Sequence, residues 1–107
     1  MPGNVVAEIS VVPLGTASTS LSRYVAGCME LLDSRKGITY QLTPMGTVIE
    51  GSLDKVLEAA RMLHEVPFSK GVSRVLTTIK IDDRRDKKLT MKGKVASVVT
   101  KYPGTRT

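Results

Sequence analysis

The sequence is poor in aromatic residues: it has no tryptophan, one phenylalanine and three tyrosines among its 107 residues. Any hydrophobic core must therefore be aliphatic, and exposed rings on which nucleic-acid bases stack are nearly absent. RNA readers built on a small sheet need such rings on its open face. The composition therefore argues against sequence-specific recognition of nucleic acid.

Residues that carry common catalytic or metal-binding chemistry are also scarce. Cys28 and His64 are the single cysteine and the single histidine, and neither a Cys-x-x-Cys pair, a Walker loop nor a dinucleotide-binding glycine fingerprint occurs. Cys28 falls on the apolar stripe of a predicted helix, which is typical of a core thiol with a raised pKa. His64 lies at the edge of another such stripe, where a surface hydrogen bond is its expected role. We expect a protein that is not an enzyme and needs neither cofactor nor metal.

Long apolar runs are missing as well. No stretch approaches the ~18 residues that a bilayer-spanning helix needs, and the first residues resemble no signal peptide. With a lone cysteine, this predicts a cytoplasmic protein without membrane association. The length suits one domain, for which we take residues 1–101, followed by a flexible tail at 102–107.

Positive charge is concentrated in the last quarter of the chain. Residues 1–79 hold seven Lys or Arg against seven Asp or Glu, whereas residues 80–107 hold nine against three. Such a segment attracts phosphates, nucleic acid or acidic surfaces, but it also suits a solvated helix face. Asp82, Asp83 and Asp86 alternate with basic residues, which favours a turn laced with ion pairs over a cation site.

Hydrophobic periodicity predicts the order β-α-β-β-α-β with an added C-terminal helix. Residues 5–12, 38–43, 47–50 and 73–82 alternate as strands do, and Pro44-Met45-Gly46 forms a hairpin turn. The first helix is expected to begin near Ser18 or Ser20 and to end at Gly37. The second is expected to begin after Ser52 and to end before Pro67, and Val95, Val98, Val99 and Tyr102 mark the third.

This order favours an α+β, ferredoxin-like split β-α-β sandwich: a four-stranded antiparallel sheet with two helices on one face. The first and third strands are expected at the centre. Glu8, Ser10 and Leu76 should then lie on the opposite face, which self-association or a ligand would cover.

Three segments rich in small and hydroxyl residues suggest a pocket for a small polar molecule. They are residues 13–20, 43–47 and 50–52, each of which turn formation and helix capping also explain. We expect the first and third segments to lie close together, where the first and third strands end.

The combination of segments is distinctive. Its members are Val-Pro-Leu-Gly-Thr-Ala-Ser-Thr-Ser at 12–20, Met-Gly-Thr-Val-Ile-Glu-Gly at 45–51, His64-Glu65, Arg74 and Ile-Asp-Asp-Arg-Arg-Asp-Lys at 81–87. Together they resemble the small thiamine-binding proteins related to YkoF. The resemblance covers nearly the whole chain. It implies a ferredoxin-like fold, assembly through the sheets, and binding of thiamine or its hydroxymethylpyrimidine moiety without catalysis.

An aminopyrimidine presents hydrogen-bond donors and acceptors, which hydroxyls, backbone groups and one carboxylate can match. Glu50 is the candidate for the amino group, Ser18, Ser20 and Thr47 for the ring nitrogens, and Met45 beside Gly46 for the ring face. We expect a homo-oligomer, a tetramer rather than a dimer. Two alternatives stay open: a purely structural or interaction protein, and an anion-binding module that uses the basic C-terminal segment.

Overall fold

The structure, a computed structural model, describes residues 3–16 and 22–102. Within these ranges the helices and strands follow the predicted order: β1 (Val5–Leu14), α1 (Ser22–Asp33), β2 (Thr39–Thr43), β3 (Gly46–Gly51), α2 (Leu53–Ser69), β4 (Arg74–Asp82) and α3 (Met91–Lys101). The predicted start of the first helix, near Ser18 or Ser20, lies outside the described residues.

The four strands form one antiparallel sheet in the order β2-β3-β1-β4. The central pair, β1 and β3, aligns Val5 with Gly51 and Ile9 with Thr47. On its other side β1 pairs with β4 from Val6 opposite Asp82 to Leu14 opposite Arg74. The predicted ferredoxin-like α+β fold and its central strands are confirmed.

Alternation along β1 explains which face of the sheet is buried. Val5, Ala7 and Ile9 are each at most 2% exposed and pack against side chains of α1 and α2, among them Cys28, Leu32, Val56 and Leu63. Each fully buried aliphatic side chain of this kind contributes roughly 1.5–3 kcal/mol. The core is aliphatic, as the scarcity of aromatic residues requires.

Two predicted helix ends are wrong. The structure continues α2 through Pro67 to Ser69, because proline in the last turn removes one backbone donor without stopping the few residues after it. It ends α1 at Asp33, before Gly37, whose φ of 79° lies in the left-handed region that favours glycine. The predicted N-cap of α2 is confirmed, since the Ser52 side chain accepts a hydrogen bond from the Lys55 backbone N–H.

The second face of the sheet, here called the open face, carries Glu8, Ser10 and Leu76, as predicted from the alternation. Helix α3 lies over one end of it and is attached there by polar contacts. The Met91 backbone N–H donates to the Glu50 carboxylate at 2.8 Å, and Lys94 pairs with Asp82 at 2.5 Å. None of the described residues of α3 is buried.

The charged connection between β4 and α3 contains the predicted ion pairs. Arg84 contacts Asp86 at 2.6 Å and Arg85 contacts Asp83 at 2.8 Å. No helix within residues 3–16 and 22–102 is long and apolar enough to cross a membrane. The proposed boundary between domain and tail at residue 102 stays a prediction, because residues 103–107 lie outside the described ranges.

Candidate functional site

The direction of the central strands corrects one expectation about the site. Because β1 and β3 are antiparallel neighbours, the end of β1 lies far from the end of β3. The start of β3 at residues 46–47 lies beside the later part of β1, whereas Gly51 pairs with Val5 at its start. Residues 13–16, the described part of the first segment, therefore lie far from residues 50–52, and for them the expected proximity is wrong; residues 17–20 lie outside the described ranges. The 43–47 turn lies nearer the end of β1.

This turn borders a cavity of about 500 Å³ between α1 and the helix-covered face of the sheet, here called the hairpin pocket. Strand β1, helix α1 and the β2–β3 hairpin provide most of its wall, which includes Ile9, Val11, Tyr24, Val25, Cys28, Leu42, Met45, Gly46, Thr47 and Leu63. The volume lies within the range of small-molecule sites. Three of the predicted site residues, Met45, Gly46 and Thr47, meet at this pocket.

A side-chain hydrogen bond and a close backbone approach hold the β2–β3 hairpin in place beside the pocket. The Thr43 hydroxyl donates to the Gly46 carbonyl at 2.8 Å and closes the turn. A Cβ atom at Gly46 would lie 3.0 Å from the Ile9 carbonyl oxygen, so a larger residue would push the strands apart. Met45 at the tip is 81% exposed, which leaves its flexible thioether free to pack on a bound molecule.

Two hydroxyl-bearing side chains in the pocket wall lack a hydrogen-bond partner within the described part of the chain. Thr47 is only 7% exposed and Tyr24 only 8%. The guanidinium carbon of Arg23 lies 5.0 Å from the centre of the Tyr24 ring, which helps to hold the ring in place. Neither hydroxyl oxygen is among the buried unpaired side-chain atoms, so both are open to the pocket and can form hydrogen bonds with a polar ligand there.

Cys28 also lines the hairpin pocket, and it is buried as predicted. Burial raises the pKa of its thiol above the usual range, and the positive charge of Lys70 counteracts this only in part. The thiol is therefore a weakly polar wall group rather than a nucleophile.

The other predicted site residues do not join this group. Glu50 lies an odd number of residues from Thr47 on β3 and so belongs to the open face, where it contacts the first turn of α3 instead of the pocket. Ser18 and Ser20 lie outside the described residues, and their part in a site stays a prediction.

Sequence reasoning missed Tyr24, Cys28 and Leu42 as pocket residues. The helical spacing of Val25 and Cys28 indicated one face of α1 but assigned it wholly to the core. The gap between this face of α1 and the β2–β3 hairpin, which forms the pocket, depends on how α1 lies across the sheet. His64 makes a hydrogen bond, with its Nδ1 atom 2.7 Å from the Thr77 hydroxyl on β4, but this contact is half-buried rather than at the surface as predicted.

The hairpin pocket offers an aliphatic wall with a few hydroxyl and backbone polar groups, which can accommodate a small, largely apolar molecule with polar edges. Its described wall contains no charged side chain, and the described residues contain no cluster of three or more His, Cys, Asp or Glu that could hold a metal ion. Hydroxyl groups and strand backbone can pair with ring nitrogens, while the aliphatic wall packs on ring faces.

Comparison with known proteins agrees with this chemistry. Residues 7–99 match the family model described as "Thiamine-binding protein". The chain belongs to this thiamine-binding protein family. The match includes the whole hairpin and most of β1.

Relatives of this family are similar over nearly their full length. UPF0045 protein YqgV of Bacillus subtilis is 46% identical over 96 residues, which cover 87% of this chain and 92% of the relative. A UPF0045 protein of Methanothermobacter thermautotrophicus is 46% identical over 98 residues, covering 91% and 98%.

Solved structures show the same fold. Protein MJ1052 of Methanocaldococcus jannaschii superposes with a TM-score of 0.80 at 37% identity, covering 89% of this chain and 95% of the other. A Thermotoga maritima protein named for thiamine biosynthesis or salvage has a TM-score of 0.71 at 22% identity, covering 89% and 98%. At that identity the likeness concerns the fold alone.

Proposed function

We propose that the protein binds thiamine, or its hydroxymethylpyrimidine moiety, in the hairpin pocket and performs no chemistry on it. The observation that carries this proposal is the Thr47 hydroxyl, which has no partner within the described chain and is open to an uncharged pocket of about 500 Å³. Membership in the thiamine-binding family supports the choice of ligand.

The two halves of thiamine differ in what they require. The aminopyrimidine is a neutral planar ring with donor and acceptor edges, which suits Thr47, Tyr24 and the aliphatic wall. The thiazolium is a cation, whose burial among uncharged groups would be costly. In our proposal the pyrimidine enters the pocket and the thiazolium stays at the mouth, where Met45 is exposed.

We further propose that the protein works in the cytoplasm as a homo-oligomer, with a tetramer favoured. Leu76 on the open face is 59% exposed, and Val98 and Tyr102 of α3 are 52% and 68% exposed. Exposed apolar side chains gathered on one side of a small domain favour burial against another protein surface. A second copy of this chain is the partner that the family resemblance implies.

The ligand proposal is tested by titrating hydroxymethylpyrimidine, thiamine and the isolated thiazole alcohol into the protein, with amide chemical shifts recorded at each step. We expect the first two to bind and to shift resonances of residues 45–47 and of Tyr24, and the third to bind far more weakly. If the thiazole alcohol binds as well as thiamine, pyrimidine recognition is wrong. If none of the three shifts these resonances, the pocket is not the site.

A further inference from the structure

A second cavity lies on the opposite side of the sheet, between α3 and the open face, and we call it the α3 slot. Its volume is about 510 Å³. Val6 and Val48 form its floor, and Met91 and Val95 on α3 form its roof. Because neighbouring residues of a strand point to opposite faces, the slot is separated from the hairpin pocket by the thickness of the sheet. We propose that the α3 slot is a second ligand site, which binds a neutral planar nitrogen heterocycle.

The charges around the slot favour an uncharged ligand. Glu8 and Lys80 face each other across β1 and β4 with 3.3 Å between their charged atoms, and Asp82 pairs with Lys94 at 2.5 Å. Each acid at the rim therefore already has a basic partner. The charged side chains that line the slot are thus paired with one another, which leaves no unpaired charge among them to attract an ionic ligand, and a neutral ligand leaves both exposed pairs in place.

The shape of the α3 slot and the side-chain amide of Gln41 favour a planar ring with a hydrogen-bond donor and an acceptor side by side. Gln41 lies next to Val48 in the register of β2 and β3, at one side of the slot. Its amide has no hydrogen-bond partner within the described chain and offers one N–H donor edge and one carbonyl acceptor edge. This is the arrangement with which glutamine pairs with the edge of adenine. The valine floor and the Met91–Val95 roof would contact the two ring faces.

The roof is held in place by the end of the sheet. Glu50, at the end of β3, accepts a hydrogen bond from the Met91 backbone N–H, whereas the Thr90 hydroxyl caps α3 itself by accepting one from the Gly93 N–H. These contacts fix the first turn of α3, and the Lys94–Asp82 pair fixes the next. The slot is therefore bounded by strands and a helix that these polar contacts connect.

The test uses 9-methyladenine, which keeps the amino-N7 edge and blocks the N9 donor, together with its 6-dimethylamino analogue, which lacks the amino donors. We expect 9-methyladenine to shift amide resonances of Val6, Val48, Met91 and Val95, and the analogue to bind roughly tenfold more weakly. The substitution Gln41→Leu is expected to weaken 9-methyladenine binding by a similar factor. Gln41 is exposed, so the fold should survive.

The neighbouring residue Leu42 provides the matched control, since it lines the hairpin pocket on the other face. Leu42→Ala is expected to leave the shifts that 9-methyladenine causes at the slot unchanged, and Gln41→Leu to leave the shifts that thiamine causes at residues 45–47 unchanged. The proposal is overturned if 9-methyladenine shifts none of the slot resonances at millimolar concentration, as expected if a second copy of the chain fills the slot. It is also overturned if the Gln41 variant and the dimethyl analogue bind like their parents. Failure of thiamine binding alone would contradict the proposed function and leave this result intact.

Discussion

The carboxylate of Glu50 at the end of β3 accepts a hydrogen bond of 2.8 Å from the backbone N–H of Met91, the first residue of α3. A negative charge at this position interacts favourably with the positive end of the helix dipole. The contact joins residues 41 positions apart and attaches the C-terminal helix to the sheet.

Replacing Glu50 by Gln should therefore affect stability rather than thiamine binding. The amide keeps the size but removes the charge, and we expect the free energy of unfolding to fall by about 0.3–1 kcal/mol. Thermal and denaturant unfolding measure this loss. Calorimetric titration should give the same thiamine affinity as the parent protein, whereas a drop of tenfold or more with unchanged stability would return Glu50 to the ligand site.

The open face should be required for self-association. Leu76→Asp places a charge on its exposed apolar surface, and we expect light scattering to show a smaller assembly than that of the parent protein. Leu57→Asp is the matched control, because Leu57 is 43% exposed on α2, away from the open face. A parent protein that is monomeric at micromolar concentration would contradict the proposed assembly.

The basic C-terminal segment should bind nucleic acid only weakly and without sequence preference. Arg84 and Arg85 are each occupied by an aspartate two residues away, so fewer cations are free for phosphate contacts. Gel shifts on unrelated duplexes should give similar, weak affinities that fall steeply with added salt. A tight, sequence-dependent shift at physiological salt would overturn this prediction and support a nucleic-acid-binding module instead.

Cys28 should report on occupancy of the hairpin pocket. Since burial raises its pKa, the thiolate is scarce at neutral pH, and alkylation by iodoacetamide should be slow there and rise with pH to a midpoint above that of free cysteine. Saturating thiamine should slow the reaction further, as followed by mass spectrometry. An alkylation rate that thiamine leaves unchanged at each pH would argue against a ligand beside this thiol.

Local patterns in the sequence predict most of the fold, because the spacing of apolar residues within each strand and helix shows which of its sides is buried. The alternation of Val5, Ala7 and Ile9 indicates the covered face, and Ser52 marks the start of α2. The same patterns leave the site incomplete. The Glu50–Met91 contact and the opening beside Cys28 depend on how distant elements pack, which no short window of sequence records.

Strand direction explains the one error that displaced the site. Both β1 and β3 are followed by segments rich in small residues, and their similar composition suggested a shared edge. The antiparallel register, which sets Ile9 opposite Thr47, instead brings the end of β1 towards the start of β3. Attention to strand direction would have separated residues 50–52 from the 43–47 turn, whose Met45, Gly46 and Thr47 were already among the predicted site residues.

The most direct test of the account is calorimetric titration of thiamine into the parent protein and into Thr47→Val. Valine keeps the shape and removes only the hydroxyl, so affinity should fall by roughly threefold to tenfold, as expected for one hydrogen bond. Stability should hold, because this hydroxyl has no partner within the described chain. Thr39→Val, on the open face of β2, should bind thiamine like the parent protein. Equal affinities for all three proteins, or no heat from any of them, would contradict thiamine recognition in the hairpin pocket.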